Sequence, residues 1–223
     1  MRIMDLTMPL KKGRGRDEEP GRGVKFELLQ TFEKDGWQGA YISMYAHEGT
    51  HIDAPLHAVR GGATIDEVPL EELIGRGVLV DLSHKFSKGE AITDEDLEKF
   101  GGTIRKGDIP VIRTDQTKKW GQPDFYVTSP YLTRKACEWL VDKKVKANVF
   151  DFSIEYSVGR EDPDLEPDVH AILLSQNIYN IEYVTNLDKL TQQTFTIVAL
   201  PLLLVGVEGS PARVIAIENG LSG

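Results

Sequence analysis

The chain has 223 residues, of which 40% are hydrophobic, with a formal net charge of -9 and a pI near 5.1. That length and apolar content suit one core, and no linker divides the chain, so residues 1–223 are expected to form a single domain. The acidic balance argues against a nucleic-acid partner, and the lone cysteine, Cys137, excludes an internal disulfide framework and a cysteine-based zinc site.

Residues 2–10 read as a strand. Residues 1–10 are too short and too mixed for a signal peptide. Residues 11–23 form a charged, glycine-rich loop, read equally as a surface loop or as a flap over a site, with a turn at Pro20-Gly21. Residues 25–31 read as a strand, and Lys34-Asp35-Gly36 as a turn. Residues 39–46 alternate: Tyr41, Ser43 and Tyr45 point one way, Ile42, Met44 and Ala46 the other. Gly61-Gly62 is a break, residues 65–73 a short helix or turn, and residues 77–82 a buried strand. A helix starts at Thr93, with Asp96 in capping-box position and Gly101 at its far end. Residues 108–113 form the next strand.

Residues 114–127 are a polar loop carrying Trp120, Phe125 and Tyr126. Such aromatics either contact substrate or pack against the domain body, and packing is the commoner outcome. Ser129-Pro130 reads as an N-cap and first-turn pair for a helix running to about Lys144, with Cys137 as an inert core residue. Residues 146–153 are a strand, 159–167 an acidic loop, 168–177 a helix and 178–184 a strand. Residues 194–207 and 212–218 are the last strands, joined by a turn over Glu208-Gly209-Ser210-Pro211. The longest apolar run, 197–207, is broken by Pro201 and falls short of the roughly 20 residues needed to cross a bilayer. No membrane partner and a cytoplasmic location are therefore expected. Strands and helices interleave, which gives an α/β class with a mixed sheet.

Three of the five histidines fall within His47-Glu48-Gly49-Thr50-His51-Ile52-Asp53-Ala54-Pro55-Leu56-His57. Imidazole nitrogen and carboxylate oxygen are ligands preferred by borderline-soft divalent ions, so this stretch reads as the core of a catalytic metal site. His47-Glu48-x-x-His51 also matches the zinc-protease pattern, which needs a helix to put residues four apart on one face. The preceding segment alternates like a strand, Gly49 and Thr50 suit a helix interior poorly, and the methionines all lie upstream of His51. An extended reading fits better. His47, His51, Asp53 and His57 are all odd-numbered and share one side of an extended chain, with Glu48 pointing away. A straight strand would separate His47 from His51 by roughly 13 Å, so the chain is expected to bend near Gly49.

His-x-Gly-Thr-His-x-Asp-x-Pro-x-His resembles the signature of the cyclase-like metal-dependent hydrolases, a family that includes bacterial kynurenine formamidases and isatin hydrolases. Met4-Asp5-Leu6-Thr7 looks like the family's opening strand, residues 170–187 like its second metal-binding region, and Gly209-Ser210-Pro211-x-Arg213 like its closing turn. The resemblance implies the swivelling β/β/α fold and roles residue by residue. His47, His51 and Asp53 would bind a first ion and His170 a second, Asp53 and Glu182 would bridge them, and His57 would be the acid/base. It also implies one or two Zn2+ ions, with Mn2+ an alternative, and a homodimer or homotetramer.

The chemistry implied is hydrolysis of an amide-type bond, an aryl formamide or cyclic amide, by a metal-bound hydroxide with proton transfer to the leaving nitrogen. Two departures bear on substrate. Kynurenine formamidases usually carry a tryptophan in the N-terminal loop, but residues 11–23 hold no aromatic, and Ala58 stands where phenylalanine often follows the last motif histidine. Trp120 is the candidate substitute for the aromatic wall. The alternatives are a lactam hydrolase or cyclase of the isatin-hydrolase type and a non-catalytic metal-binding scaffold. His84 takes no role and is expected on the surface.

Overall fold

A computed structural model describes residues 1–11, 23–154 and 169–219. Nearly all of the loop expected at 11–23, all of that at 159–167, and the start of the helix expected at 168 lie outside the described residues. In chain order the elements are β1 (Arg2–Asp5), β2 (Val24–Gln30), the single turn α1 (Phe32–Asp35), β3 (Gly39–Met44), β4 (His51–Asp53), β5 (Ile74–Asp81) and β6 (Ala91–Ile92). There follow α2 (Asp94–Gly101), β7 (Ile109–Arg113), β8 (Tyr131–Leu132), α3 (Arg134–Asp142), β9 (Ala147–Phe150), α4 (Val169–Leu174), β10 (Tyr179–Glu182), β11 (Thr194–Pro201) and β12 (Gly209–Glu218).

The mixed sheet expected from the interleaved pattern is present, with strand order β1-β12-β11-β5-β7-β9-β10-β4. Strands β5, β7, β9 and β10 run parallel, and α2, α3 and α4 lie on the crossovers between them. The remaining pairings are antiparallel. Strand β4 pairs with β10 on one side and with the first residues of β12 on the other, so the sheet closes on itself. Closure puts one face inside, packed with Ile52, Ile109, Val111, Val149, Ile181, Ile197 and Val214. The opposite face carries Val78, Val80, Ile112 and Phe150 against the apolar sides of α2, α3 and α4, with Leu97, Ala136, Leu140 and Leu173 at the contact. Coverage of both faces is why Val78-Leu79-Val80 of β5 and Val111-Ile112 of β7 run apolar without alternation, whereas β9 and β10 interleave Asn148, Asn180 and Glu182.

Several boundaries differ from the sequence reading, each for a local reason. The first strand ends at Asp5 rather than residue 10, because the Thr7 amide donates to Asp5 Oδ1 and the Thr7 hydroxyl bonds the Val214 carbonyl in place of a ladder. Ser129 is not the cap of α3. Its hydroxyl accepts from the Ser153 amide, Tyr131–Leu132 pairs with Ala91–Ile92, and the cap is Thr133, which accepts from the Ala136 amide. The turn expected over 208–211 lies earlier. Residues 209–211 are already strand, paired with β4, and β11 ends at Pro201, beyond which the chain turns through 202–208. Residues 65–73 form two single turns, Ile65–Glu67 and Leu70–Glu72. The Thr93/Asp96 capping box stands as read.

Candidate metal centre

Strand β4 is three residues long, and each alternates as a strand must. Ile52 is fully buried in the inner core, so His51 and Asp53 emerge together on the helix-bearing face. Their register partners on β10 are Glu182 opposite His51 and Asn180 opposite Asp53, which brings Glu182 onto the same face. His170 reaches the same place from α4. His57 arrives from the single turn Pro55–His57, which starts on Pro55 and is closed by the His57 amide donating to the Ala54 carbonyl.

His47 is not on a strand. β3 stops at Met44 and the chain turns through residues 46–50, with Gly49 at φ +62, where an added Cβ would sit 2.8 Å from Leu10 Cδ2. The bend brings the rings of His47 and His51 to 4.9 Å, centroid to centroid. Thr50 locks it: its hydroxyl accepts from the Met8 amide and donates to the Tyr183 carbonyl, both at 2.8 Å, and its carbonyl accepts from the Ala212 amide. Glu48 is buried, with its carboxylate holding the Gly23 amide.

The two oxygens of Asp53 face different partners. Oδ1 lies 2.7 Å from His47 Nδ1 and 3.2 Å from His51 Nε2. Oδ2 lies 3.5 Å from His170 Nε2, which is 3.0 Å from Glu182 Oε1. His51 Nδ1 donates to the Gly49 carbonyl at 2.8 Å, so its Nε2 is the nitrogen left for the centre. Among the described residues, two overlapping sets of ligand atoms are close enough to hold an ion: His47, Asp53 and His57, and His51, Asp53 and Glu182. His57 thus falls within a ligand-capable group as well as at the cavity wall, its ring 4.1 Å from His47 and 5.2 Å from His170.

The residues fit a divalent cation. Asp53 is fully buried, yet Oδ2 has no hydrogen-bond partner, and a buried acceptor left unpaired costs about 1–3 kcal/mol, more when charged. Among the described residues the cavity is lined by Tyr45, His47, Glu48, His51, His57, Trp120, Tyr126, Ser153, His170, Glu182 and Tyr183, with no lysine or arginine in that set. Carboxylates buried beside imidazoles without a permanent cation are the donor set that zinc or manganese satisfies. Burial pushes the Asp53 carboxyl up, but His51, His47 and His170 outweigh it and hold the group well below the ordinary carboxylate range.

The cavity has a volume of about 180 Å³. Trp120 stands in its wall, with its ring 4.9 Å from Tyr183 and 5.0 Å from the buried Phe125. Phe125 therefore packs as the commoner reading has it, whereas Trp120 and Tyr126 also face the cavity. His84 is exposed, with its ring 5.4 Å from that of Phe100, and is not among the residues that line the cavity. Sequence reasoning missed Tyr45, Tyr183 and Ser153. Tyr45 was legible as the last outward residue of the alternating strand; Tyr183, at φ +53, carries no sequence signal.

A family model for Cyclase matches residues 4–155. The kynurenine formamidase of Bacillus anthracis is 28% identical over 194 residues, covering 85% of this chain and 85% of that protein. Among solved structures, isatin hydrolase A from Ralstonia solanacearum superposes with a TM-score of 0.83 at 26% identity, covering 96% of this chain and 91% of that one. A second, described as a potential metal-dependent hydrolase with cyclase activity, gives a TM-score of 0.77 at 28% identity, covering 98% of each chain.

Burial, with the charges of His47, His170 and His51, pushes the His57 imidazole down to about 4 against the opposing pull of Asp53. Between that value and the ordinary 6.5 the unfolded chain binds a proton that the folded, metal-free chain does not. The stability so contributed is complete above about 6.5 and is lost as the pH falls toward 4. Asp151, pushed up to about 7 by burial, acts in the opposite direction over the same window, so the expected result is a difference: in thermal unfolding of the metal-free protein between pH 4 and 6.5, His57→Asn lowers the slope of stability against pH by up to one proton relative to the wild type. An unchanged slope would remove His57 as its source.

Proposed function

The chain belongs to the Cyclase family, and from that premise we propose that it is a metal-dependent hydrolase of an amide-type bond in a small molecule, with an aryl formamide or a cyclic amide as substrate class. The observation that carries this reading is Asp53: fully buried, with one oxygen facing His47 and His51 and the other 3.5 Å from His170 Nε2, without a hydrogen bond of its own. We assign His47, His51 and Asp53 to one ion and His170 to a second, with Asp53 and Glu182 shared, and Zn2+ or alternatively Mn2+ as the metal. Residues 1–223 act in this reading as one catalytic domain, and a cytoplasmic setting suits the single buried thiol of Cys137.

A divalent cation held by these side chains supplies Lewis acidity toward a carbonyl oxygen and lowers the pKa of a nearby water toward neutrality. The chain's own residues do the rest. His57, held neutral at pH 7, takes up the proton of the attacking water at a ring nitrogen. It then delivers that proton to the departing nitrogen, because an amine leaves poorly unless protonated. Tyr45, Trp120, Tyr126 and Tyr183 wall the cavity and favour a flat, aromatic acyl or amine portion. This supports the aryl formamide reading even though residues 11–23 lack an aromatic.

A homodimer or homotetramer is part of the same proposal. The β2–β3 ribbon pairs Phe26 with Ile42 and Leu28 with Ala40, and Phe26, Leu28 and Ile42 are each about half exposed. A two-stranded ribbon is marginal alone in water, and an apolar face of this kind is what a second copy covers. Phe26→Asp with Ile42→Asp is expected to shift the mass measured by light scattering to the monomer; a wild-type monomer would contradict the oligomer.

For activity, dialysis against a chelator is expected to abolish hydrolysis of N-formylkynurenine, isatin or simple aryl formamides, and Zn2+ or Mn2+ to restore it. His57→Ala is expected to retain metal and lose about 10² to 10⁴-fold in turnover. Full turnover by metal-free protein would overturn the function, and metal loss in His57→Ala would move that residue into the ligand set.

A further inference from the structure

His47 is held on three sides. Its Nδ1 faces Asp53 Oδ1 at 2.7 Å, and its Nε2 lies 3.3 Å from Glu208 Oε1. Its ring edge rests on Gly209, where an added Cβ would sit 2.9 Å from Cε1 and 3.2 Å from Nε2. The segment bearing Glu208 is itself fastened: the Ala54 amide donates to the Glu208 carbonyl at 2.9 Å and the Ile65 amide to the Val207 carbonyl at 2.8 Å. Gly209 is also the register partner of Asp53, so the strand that seats the His47 ring seats the carboxylate too.

The two neighbouring histidines consequently use opposite nitrogens. His51 has its Nδ1 tied to a backbone carbonyl and offers Nε2; His47 has its Nε2 opposite a carboxylate and offers Nδ1. Both free nitrogens converge on Asp53 Oδ1. A carboxylate accepting the far N–H of a ligand imidazole fixes its tautomer and orientation and raises its basicity.

From this geometry we propose that Glu208 is a positioning residue: it accepts the Nε2–H of His47 and so presents Nδ1 to the cation. This rests on the metal-centre reading above. Glu208 does not reach the reacting atoms in this account; it acts through His47. Its side chain is about one-third exposed, so its removal leaves the core packing intact.

The test is Zn2+ titration by calorimetry of the wild type, Glu208→Ala, Glu208→Gln and Gly209→Ala, with long-range 1H–15N spectra of histidine-labelled protein with and without Zn2+. Glu208→Ala is expected to keep the metal-free melting temperature, weaken Zn2+ binding about 10- to 100-fold, and lose the protonated, hydrogen-bonded Nε2 signature of His47. Glu208→Gln keeps an acceptor oxygen and is expected to recover most of the affinity, whereas Gly209→Ala displaces the ring and weakens binding. Wild-type affinity in Glu208→Ala, or a His47 whose Nε2 is unprotonated in the Zn2+-loaded wild type, would overturn the inference. A wild type that shows the Nε2 signature but takes up no Zn2+ would instead sink the metal-centre reading, leaving the hydrogen bond to Glu208 established.

Discussion

A fully buried carboxylate with imidazoles against both of its oxygens is the constraint on which the rest of this molecule depends. Placing Asp53 in the interior costs several kcal/mol unless its charge is compensated. Hydrogen bonds and charge from His47, His51 and His170 supply part of that compensation. They do not complete it, because Oδ2 makes no hydrogen bond and, among the described residues, no lysine or arginine lines the cavity. The same face of the sheet carries Asn180 and Asn148, register partners of each other and, through Asn180, of Asp53. Both amides are buried without hydrogen bonds. The fold thus tolerates a row of buried polar groups beside its helices, a cost that a hydrophobic row would avoid and that a cation bound at its end would offset.

Closure of the sheet makes the arrangement possible. A three-residue strand such as β4 has little stability of its own; here it is paired on both edges, by β10 and β12, and anchored through Ile52 in the inner core. The same two neighbours carry the partners of its side chains. β10 brings Glu182 opposite His51, and β12 brings Gly209, next to Glu208, opposite Asp53. Displacement of either neighbour would move ligands from two strands at once, so the geometry of the centre is coupled to the integrity of the closed sheet. Two of the four wall aromatics, Trp120 and Tyr126, come from a different element, the 114–128 segment. It is fastened where Asp151 accepts from the Thr114 amide and hydroxyl and the Asp115 amide, and where Gln116 donates to the Phe125 carbonyl.

Much of this was legible in the sequence because strand periodicity is strict. Odd-numbered His51 and Asp53 had to share a face if the chain was extended, and the bend needed to bring His47 back was assignable to Gly49. His170 and Glu182 were not legible from periodicity, since a histidine on a helix and a glutamate on a strand are ordinary; they entered through the family resemblance, and the β10–β4 register is what brings Glu182 opposite His51. Glu208 was hidden because Gly-Ser-Pro after it reads as a turn. In the structure that tripeptide is strand, and Pro211 is accommodated as the antiparallel partner of His51. Ser129-Pro130 misled for the converse reason: a sound capping pair was overridden by tertiary bonds between Ser129 and Ser153.

The central claim is that Asp53 is the shared carboxylate of a divalent-cation centre. Crystals of the full-length protein grown with Zn2+ and measured at the zinc absorption edge test it most directly. Anomalous density is expected within about 2.0–2.2 Å of an Asp53 oxygen and of His47 and His51 nitrogens. Anomalous density confined to other parts of the molecule, with Asp53 still unligated at saturating Zn2+, would contradict it.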